Sequence, residues 1–146
     1  MDSYTYISIE EAIDIHRKTV KHSGGGIDIC IDKNRLESVL AHIQNDTYYP
    51  SFIDKLTHLF FSACQFHCFA DGNKRIAIML ATQFILKNGY MHIGRYFIHK
   101  LENISYHVAA GKINKKLLHK IMTSIFNGDY DYNNELALEI YNAIKD

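Results

Sequence analysis

The sequence predicts an all-α bundle of about six to seven helices packed around one central, buried helix. Three observations carry this prediction. Apolar residues recur at spacings of three and four along most of the chain, no stretch holds the strict alternation of a half-buried strand, and one helical segment, 73–87, is apolar on nearly every face. A single proline, Pro50, and the lack of a Ser/Gly-rich linker point to one compact unit, and 146 residues is an ordinary size for one domain. Residues 1–126 form the expected body of that unit, and 127–146 a helical extension of it.

Ser8, with Ile7 before it and Glu11 three residues later, is a capping box, so the first helix starts near Ile9 and turns Ile9, Ala12, Ile13 and Val20 inward. The run Gly24, Gly25, Gly26 stops it, because three glycines lose too much backbone freedom inside a helix. A second helix is expected over 34–44, with Leu36, Val39, Leu40 and Ile43 facing the core. Residues 45–50 hold turn formers plus Tyr48 and Tyr49 and read as an exposed loop or short flap. Ser51 with Asp54 opens a third helix, which Ile53, Leu56, Phe60, Ala63 and Cys64 carry to about Phe66. The helix over 73–87 ends at Asn88 and Gly89. Its residues Ile76, Ala77, Ile78, Leu80, Ala81, Phe84 and Ile85 leave almost no polar face, which places it at the centre. Further helices are expected over 95–110, ending at Gly111, over about 114–126, capped by Asn114, and over 133–144, after the polar turn 127–132.

Lys plus Arg number 16 and Asp plus Glu number 16, so the net charge is zero. No bulk positive field favours sequence-independent nucleic-acid binding, and no direct nucleic-acid partner is expected. No apolar run reaches the roughly 18 residues of a membrane helix. Residues 1–9 lack the basic segment and apolar core of a secretory signal, so the expected location is the cytoplasm, away from membranes. Cys30, Cys64 and Cys68 are an odd number without framework spacing. Cys64 and Cys68 stand four apart with His67 between them, but no second pair completes the four ligands of a structural zinc site, and they read as packing thiols.

The chemistry is concentrated in His67-Cys68-Phe69-Ala70-Asp71-Gly72-Asn73-Lys74-Arg75, a polar cluster between two strongly apolar helices. Gly72 and Asn73 open the buried helix, whose first amides have no intrahelical partner and make a ready anion site. Lys74 and Arg75 add two positive charges there, which suits the phosphate chain of a nucleotide. Asp71 is repelled by bare phosphate but fits Mg²⁺, a hard cation held by one or two carboxylates plus phosphate oxygens. His67, with an ordinary pKa of about 6.5, accepts a proton near neutral pH. The assembled reading is a histidine base beside a metal-bound nucleotide.

This cluster resembles the active-site motif of the Fic/Doc family, His-Pro-Phe-x-Asp/Glu-Gly-Asn-Gly-Arg-x-x-Arg. The chain keeps the His, Phe, acid, Gly, Asn and first Arg. Cys68 replaces Pro, Lys74 replaces the second Gly, and Ile78 stands at the second Arg. The last two departures match the Doc branch, His-x-Phe-x-Asp/Asn-x-Asn-Lys-Arg. The resemblance to Doc extends over roughly residues 4–125, including the first helix, the Gly-containing turn with the helix after it, the end of the motif helix and the late Ala-Gly turn.

The resemblance implies the Fic/Doc helical fold and, in the common Fic branch, AMP transfer from ATP to a protein hydroxyl. In the Doc branch, with Lys at the glycine position, it implies a reversed ATP pose and delivery of the γ-phosphoryl group to a threonine of elongation factor Tu. The chain then reads as a protein kinase toxin that arrests translation, with ATP and Mg²⁺ as cofactors. Carried over residue by residue, His67 is the base, Asp71 the metal ligand, and Gly72, Asn73, Lys74 and Arg75 the phosphate-binding group. Phe69 is a buried anchor of the motif. Tyr48, Tyr49 and Ser51 lie where the family has the flap that docks the target. Many Fic proteins silence themselves with a Ser/Thr-x-x-x-Glu helix, but Glu10, Glu11, Glu37, Glu102, Glu135 and Glu139 all lack Ser or Thr four residues earlier. Control then falls to a separate antitoxin that folds as a helix into a groove of the toxin. Protein AMP transfer and a non-catalytic binding module on the same fold stand as the alternatives.

Outside the motif, bland readings lead. His16, His22, His42, His58, His92, His99, His107 and His119 are scattered, with no HExxH pair. Lys112, Lys115, Lys116 and Lys120 read as a solvated helix face.

Overall fold

The structure is a computed structural model and describes residues 3–22, 33–65 and 73–145, with backbone alone at 20, 22, 73 and 74. Among the described residues there are seven α-helices, one short 3₁₀ turn and no strand. The expected all-α architecture is therefore present.

The first helix, α1 (Ile9–His22), starts where its capping box places it. The Glu11 amide donates to Ser8 Oγ at 3.1 Å, and the Ser8 amide donates to Glu11 Oε1 at 3.4 Å. Glu11 also pairs with Lys87 at 2.8 Å, tying the start of α1 to the end of the central helix. The glycine run expected to stop α1 lies outside the described residues. Helix α2 (Lys33–His42) buries Leu36, Val39 and Leu40 and ends two residues before the expected Gln44. Helix α3 (Phe52–Gln65) is again opened by a reciprocal cap, with the Asp54 amide on Ser51 Oγ at 3.0 Å and the Ser51 amide on Asp54 Oδ2 at 3.1 Å.

Helix α4 (Asn73–Lys87) is the buried one: Ile76, Ala77, Leu80, Ala81, Phe84 and Ile85 are fully inaccessible. It packs against α1, α3 and α5 (Gly94–Ala109), which explains why its sequence keeps no polar face. Its end is a Schellman turn. Gly89 takes φ +91° and donates its amide to the Leu86 carbonyl, while the Tyr90 amide reaches Ile85. Asn88, just before it, grips the N-terminal segment by accepting from the Thr5 amide at 2.8 Å and donating to the Thr5 carbonyl at 3.0 Å.

Helix α6 (Lys115–Asn127) packs on α3, and Asn114 caps it by accepting from the Leu117 amide at 2.8 Å. After the 3₁₀ turn Tyr130–Tyr132, helix α7 (Asn134–Ile144) is capped by Asn133 and rests on α6, burying only Leu136 among its residues. An aromatic knot joins the ends of these elements. Phe52 lies 4.8 Å from Phe84, 5.1 Å from Tyr90 and 5.9 Å from Phe126 between ring centroids, so the start of α3, the end of α4 and the end of α6 share one hydrophobic centre.

Candidate active site

The end of α3 and the start of α4 converge on the chemical motif. Gln65, the last residue of α3, donates its side-chain amide to the Val108 carbonyl and so fixes the final turn of α3 against the end of α5. Eight residues later α4 begins at Asn73. His67, Phe69, Asp71 and Gly72 lie outside the described residues, and of Asn73 and Lys74 the backbone alone is described, as the first two positions of α4. Arg75 follows with an exposed side chain, while Ile76 and Ala77 behind it are fully buried and hold the helix end in place. The first turn of α4 contains no acidic residue, so no carboxylate of that turn neutralises its leading amides or its two cations.

Arg75 also stands at one end of a groove of about 910 Å³ between α1, α4 and α5. Ile15, Ile78, Met79, Leu86 and Ile98 give it an apolar lining, and Lys18 and Glu102 add charge. Ile78, the residue at the position of the second arginine of the motif, is 5% exposed and lines this groove, so an aliphatic group stands where the common Fic pattern has a cation.

The residues proposed for a flap sit on the other side of α3. Asn45 Oδ1 accepts from the Thr47 and Tyr48 amides at 2.9 and 3.2 Å, folding the α2–α3 connection into a tight turn that presents Tyr48 to solvent at 77% exposure. Ser51 serves as the cap of α3. Tyr49 lies flat on the His58 ring, 4.4 Å between centroids. Lys115 approaches both, with Nζ 2.7 Å from His58 Nδ1 and 5.1 Å from the Tyr49 ring centre. Burial, the Lys115 charge and the His42 charge push the His58 pKa down to about 4, so the ring is neutral at pH 7 and its Nδ1 accepts from the ammonium. Beneath this turn, Lys55 is wholly inaccessible and donates to the Ile43 carbonyl and to Asp46, both at 2.7 Å. Burial works against its ammonium, yet the bonds and charges of Asp46 and Tyr6 outweigh that and raise its pKa.

This corrects the reading of Lys115 as part of a solvated face: it is drawn in over an aromatic ring. The pairing of Asp54 with His119 at 2.8 Å was likewise invisible in the sequence, since the two residues are 65 positions apart. The one local signal was Asp54 itself, whose capping role put a carboxylate at the start of α3.

A sequence model of the Fic/DOC family matches residues 6–85, more than half of the chain. The chain belongs to the Fic/DOC family. The match spans α1 to α4 and includes the whole motif from His67 to Arg75, while α5, α6 and α7 lie beyond it. Fic/DOC proteins are usually transferases, which agrees with a polar motif at the cationic end of a core helix. No curated protein and no solved structure matches the chain. Among the described residues, no helix of this Fic/DOC chain is long and apolar enough to cross a membrane, and no group of three or more His, Cys, Asp or Glu is placed to hold a metal ion. Cys64 is buried in the core; Cys30 and Cys68 lie outside the described residues.

Proposed function

We propose that this Fic/DOC chain is a Doc-type protein kinase that moves the γ-phosphoryl group of ATP to a threonine of elongation factor Tu. In this role it acts in the cytoplasm as the toxin half of a toxin–antitoxin pair and arrests translation. The observation that carries the branch is the pair Lys74 and Ile78: a cation where AMP-transferring members have glycine, and a buried aliphatic side chain where they have their second arginine. Removing that arginine removes a clamp for the AMP-transfer pose, and adding Lys74 moves positive charge to the first turn of α4, where the leading amides already favour anions.

In this reading His67 takes the proton of the threonine hydroxyl as its oxygen bonds to the γ-phosphorus and the bond to ADP breaks. Asn73, Lys74, Arg75 and the amides around Gly72 hold the phosphates. Asp71, which precedes those phosphate binders in the sequence, would hold the Mg²⁺ that arrives with the nucleotide, and that cation would neutralise phosphate charge. Phe69 anchors the loop, and Tyr48, Tyr49 and Ser51 form the docking flap.

The groove between α1, α4 and α5 suits the antitoxin. Its apolar lining complements the apolar face of an amphipathic helix, which folds as it binds. The test is to incubate the purified chain and a bacterial lysate with ATP labelled at the α or the γ position. Label from γ alone, on one protein of the size of elongation factor Tu, is the expected result; label from α alone means AMP transfer, and label from neither, with a partner still recovered, means a binding module.

A further inference from the structure

Beside the flap lies a second cavity of about 510 Å³, which Tyr48 and Tyr49 share with α3 and with Lys115 and Lys116 at the start of α6. The backbone of the flap turn is held at Asn45, which accepts from the Thr47, Tyr48 and Tyr49 amides. Of residues 47–50, Tyr49 alone is not exposed. Beyond Asn45 the turn is therefore fastened through the Tyr49 ring, which lies on His58 of α3.

Lys115 completes this contact from α6. Its Nζ is 2.7 Å from His58 Nδ1 and 5.1 Å from the centre of the Tyr49 ring, so one ammonium touches both members of the stack. An ammonium only donates, so Nδ1 is the acceptor, and the neutral imidazole keeps its hydrogen on Nε2, 3.4 Å from the Tyr49 hydroxyl. Asp54 also attracts Lys115, but its carboxylate accepts from the Ser51 amide and pairs with His119. Flap, α3 and α6 thus meet in three side chains.

A lysine is a demanding choice for this place. Lys115 is the first residue of α6, where the helix dipole disfavours a cation, and burial lowers its pKa against the pull of Asp54. Burial, together with the charges of Lys115 and His42, keeps His58 neutral. An aliphatic side chain fills such a space without desolvating a charge, but it has no bond to give the imidazole and no charge for the aromatic face. Perturbed ionisable groups gather at functional sites, and this pair adjoins the flap.

We propose that Lys115 and His58 are positioning residues that clasp the target-docking flap: the ammonium, anchored on His58 and drawn over Tyr49, holds that ring on α3 and keeps the turn 45–50 in the shape that receives the protein substrate. The docking role rests on the reading of this chain as a transferase acting on protein hydroxyls. The clasp leaves Tyr48 as the exposed side chain that meets the target.

The test compares the full parent chain with Lys115→Met, which keeps an apolar stem without the charge, and Lys115→Arg, which keeps a cation that stacks on aromatic rings. The first readout is amide hydrogen exchange at Thr47, Tyr48 and Tyr49, which needs no transfer. Lys115→Met is expected to speed it about 3- to 10-fold and Lys115→Arg to return it to within about 2-fold of the parent. The Glu11 amide at the cap of α1 exchanges unchanged and shows that the fold is kept. The second readout is transfer of label from ATP to purified elongation factor Tu. Lys115→Met raises the KM for that protein about 3- to 10-fold while kcat and the KM for ATP hold, and Lys115→Arg restores it. Lys116→Gln, exposed and next in sequence, loses the same charge and moves neither readout. Flap exchange in Lys115→Met equal to the parent's, or raised as much by Lys116→Gln, overturns the clasp. Raised exchange with an unchanged KM overturns its role in docking. If the parent chain transfers no label, the transferase reading fails and the docking role with it, while flap exchange still decides the clasp.

Discussion

The part of the chain that matches the family, α1 to α4, and the part beyond it, α5 to α7, divide the labour of the molecule unevenly. The first part carries every residue of the motif and the helix that presents it. The second part carries none of that chemistry, yet it closes both cavities: α5 is one wall of the 910 Å³ groove, and α6 supplies the lysines of the 510 Å³ cavity. The difference teaches where specificity is built in this fold. Helix α4, which carries the last three residues of the motif, is packed by α1, α3 and α5, and further walls of the cavities come from elements beyond the family match.

The largest expected effect breaks the comparison if it fails. His67→Ala removes the base and lowers label transfer by about 10²- to 10⁴-fold. It also relieves growth arrest on expression. Equal toxicity of the two forms means that the matched half does not hold the chemistry.

The next effect separates structural from functional cations. Lys55 is enclosed while its partner Asp46 is 77% exposed, so removing the acid strands a buried cation and removing the lysine strands only a hydrated carboxylate. Asp46→Ala is expected to cost about 3 kcal/mol and Lys55→Met about 1–2 kcal/mol in denaturant unfolding. The reverse order contradicts the assignment of Lys55 as an anchored, charged group.

His58 sharpens the contrast through pH. Its pKa is about 4 in the fold against an ordinary 6.5, so the unfolded chain binds the proton more readily. The resulting stability is fully present above about pH 6.5 and is lost as the pH falls towards 4. The loss is about 2 kcal/mol after allowance for water reaching the ring, and His58→Gln flattens that part of the stability curve. A slope unchanged in His58→Gln assigns the titration to another group.

The smallest effect is at α7. Leu138 and Tyr141 are 60% and 61% exposed, and changing both to Ser is expected to move the unfolding free energy by no more than about 0.5 kcal/mol. A larger loss means that this face is covered in solution.

What the sequence revealed and what it hid follow from the range of each interaction. The caps at Ser8, Ser51 and Asn114, and the helix ends at Gly89 and Gly111, depend on residues within a few positions of one another and were legible. The central place of α4 followed from its uniform apolarity. The glycine that closes α6, Gly128 at φ +81°, fell within a turn expected only from its polarity. Contacts across the fold left no such mark. Lys115 and His58 are 57 positions apart, and Lys55 sits in α3 between Asp54 and Leu56 with nothing local to show that its ammonium is buried on Asp46. A lysine-rich stretch therefore read as solvated until α6 was seen against α3. Family membership was legible in the motif, because its polar residues recur in a fixed local order that needs no contact across the fold to be recognised.

The most direct measurement is the mass of purified elongation factor Tu after incubation with this chain and ATP. A gain of one phosphoryl group, localised to a threonine and absent with His67→Ala, is the predicted result. A gain of AMP, or an unchanged mass in the presence of fully folded chain, contradicts the account.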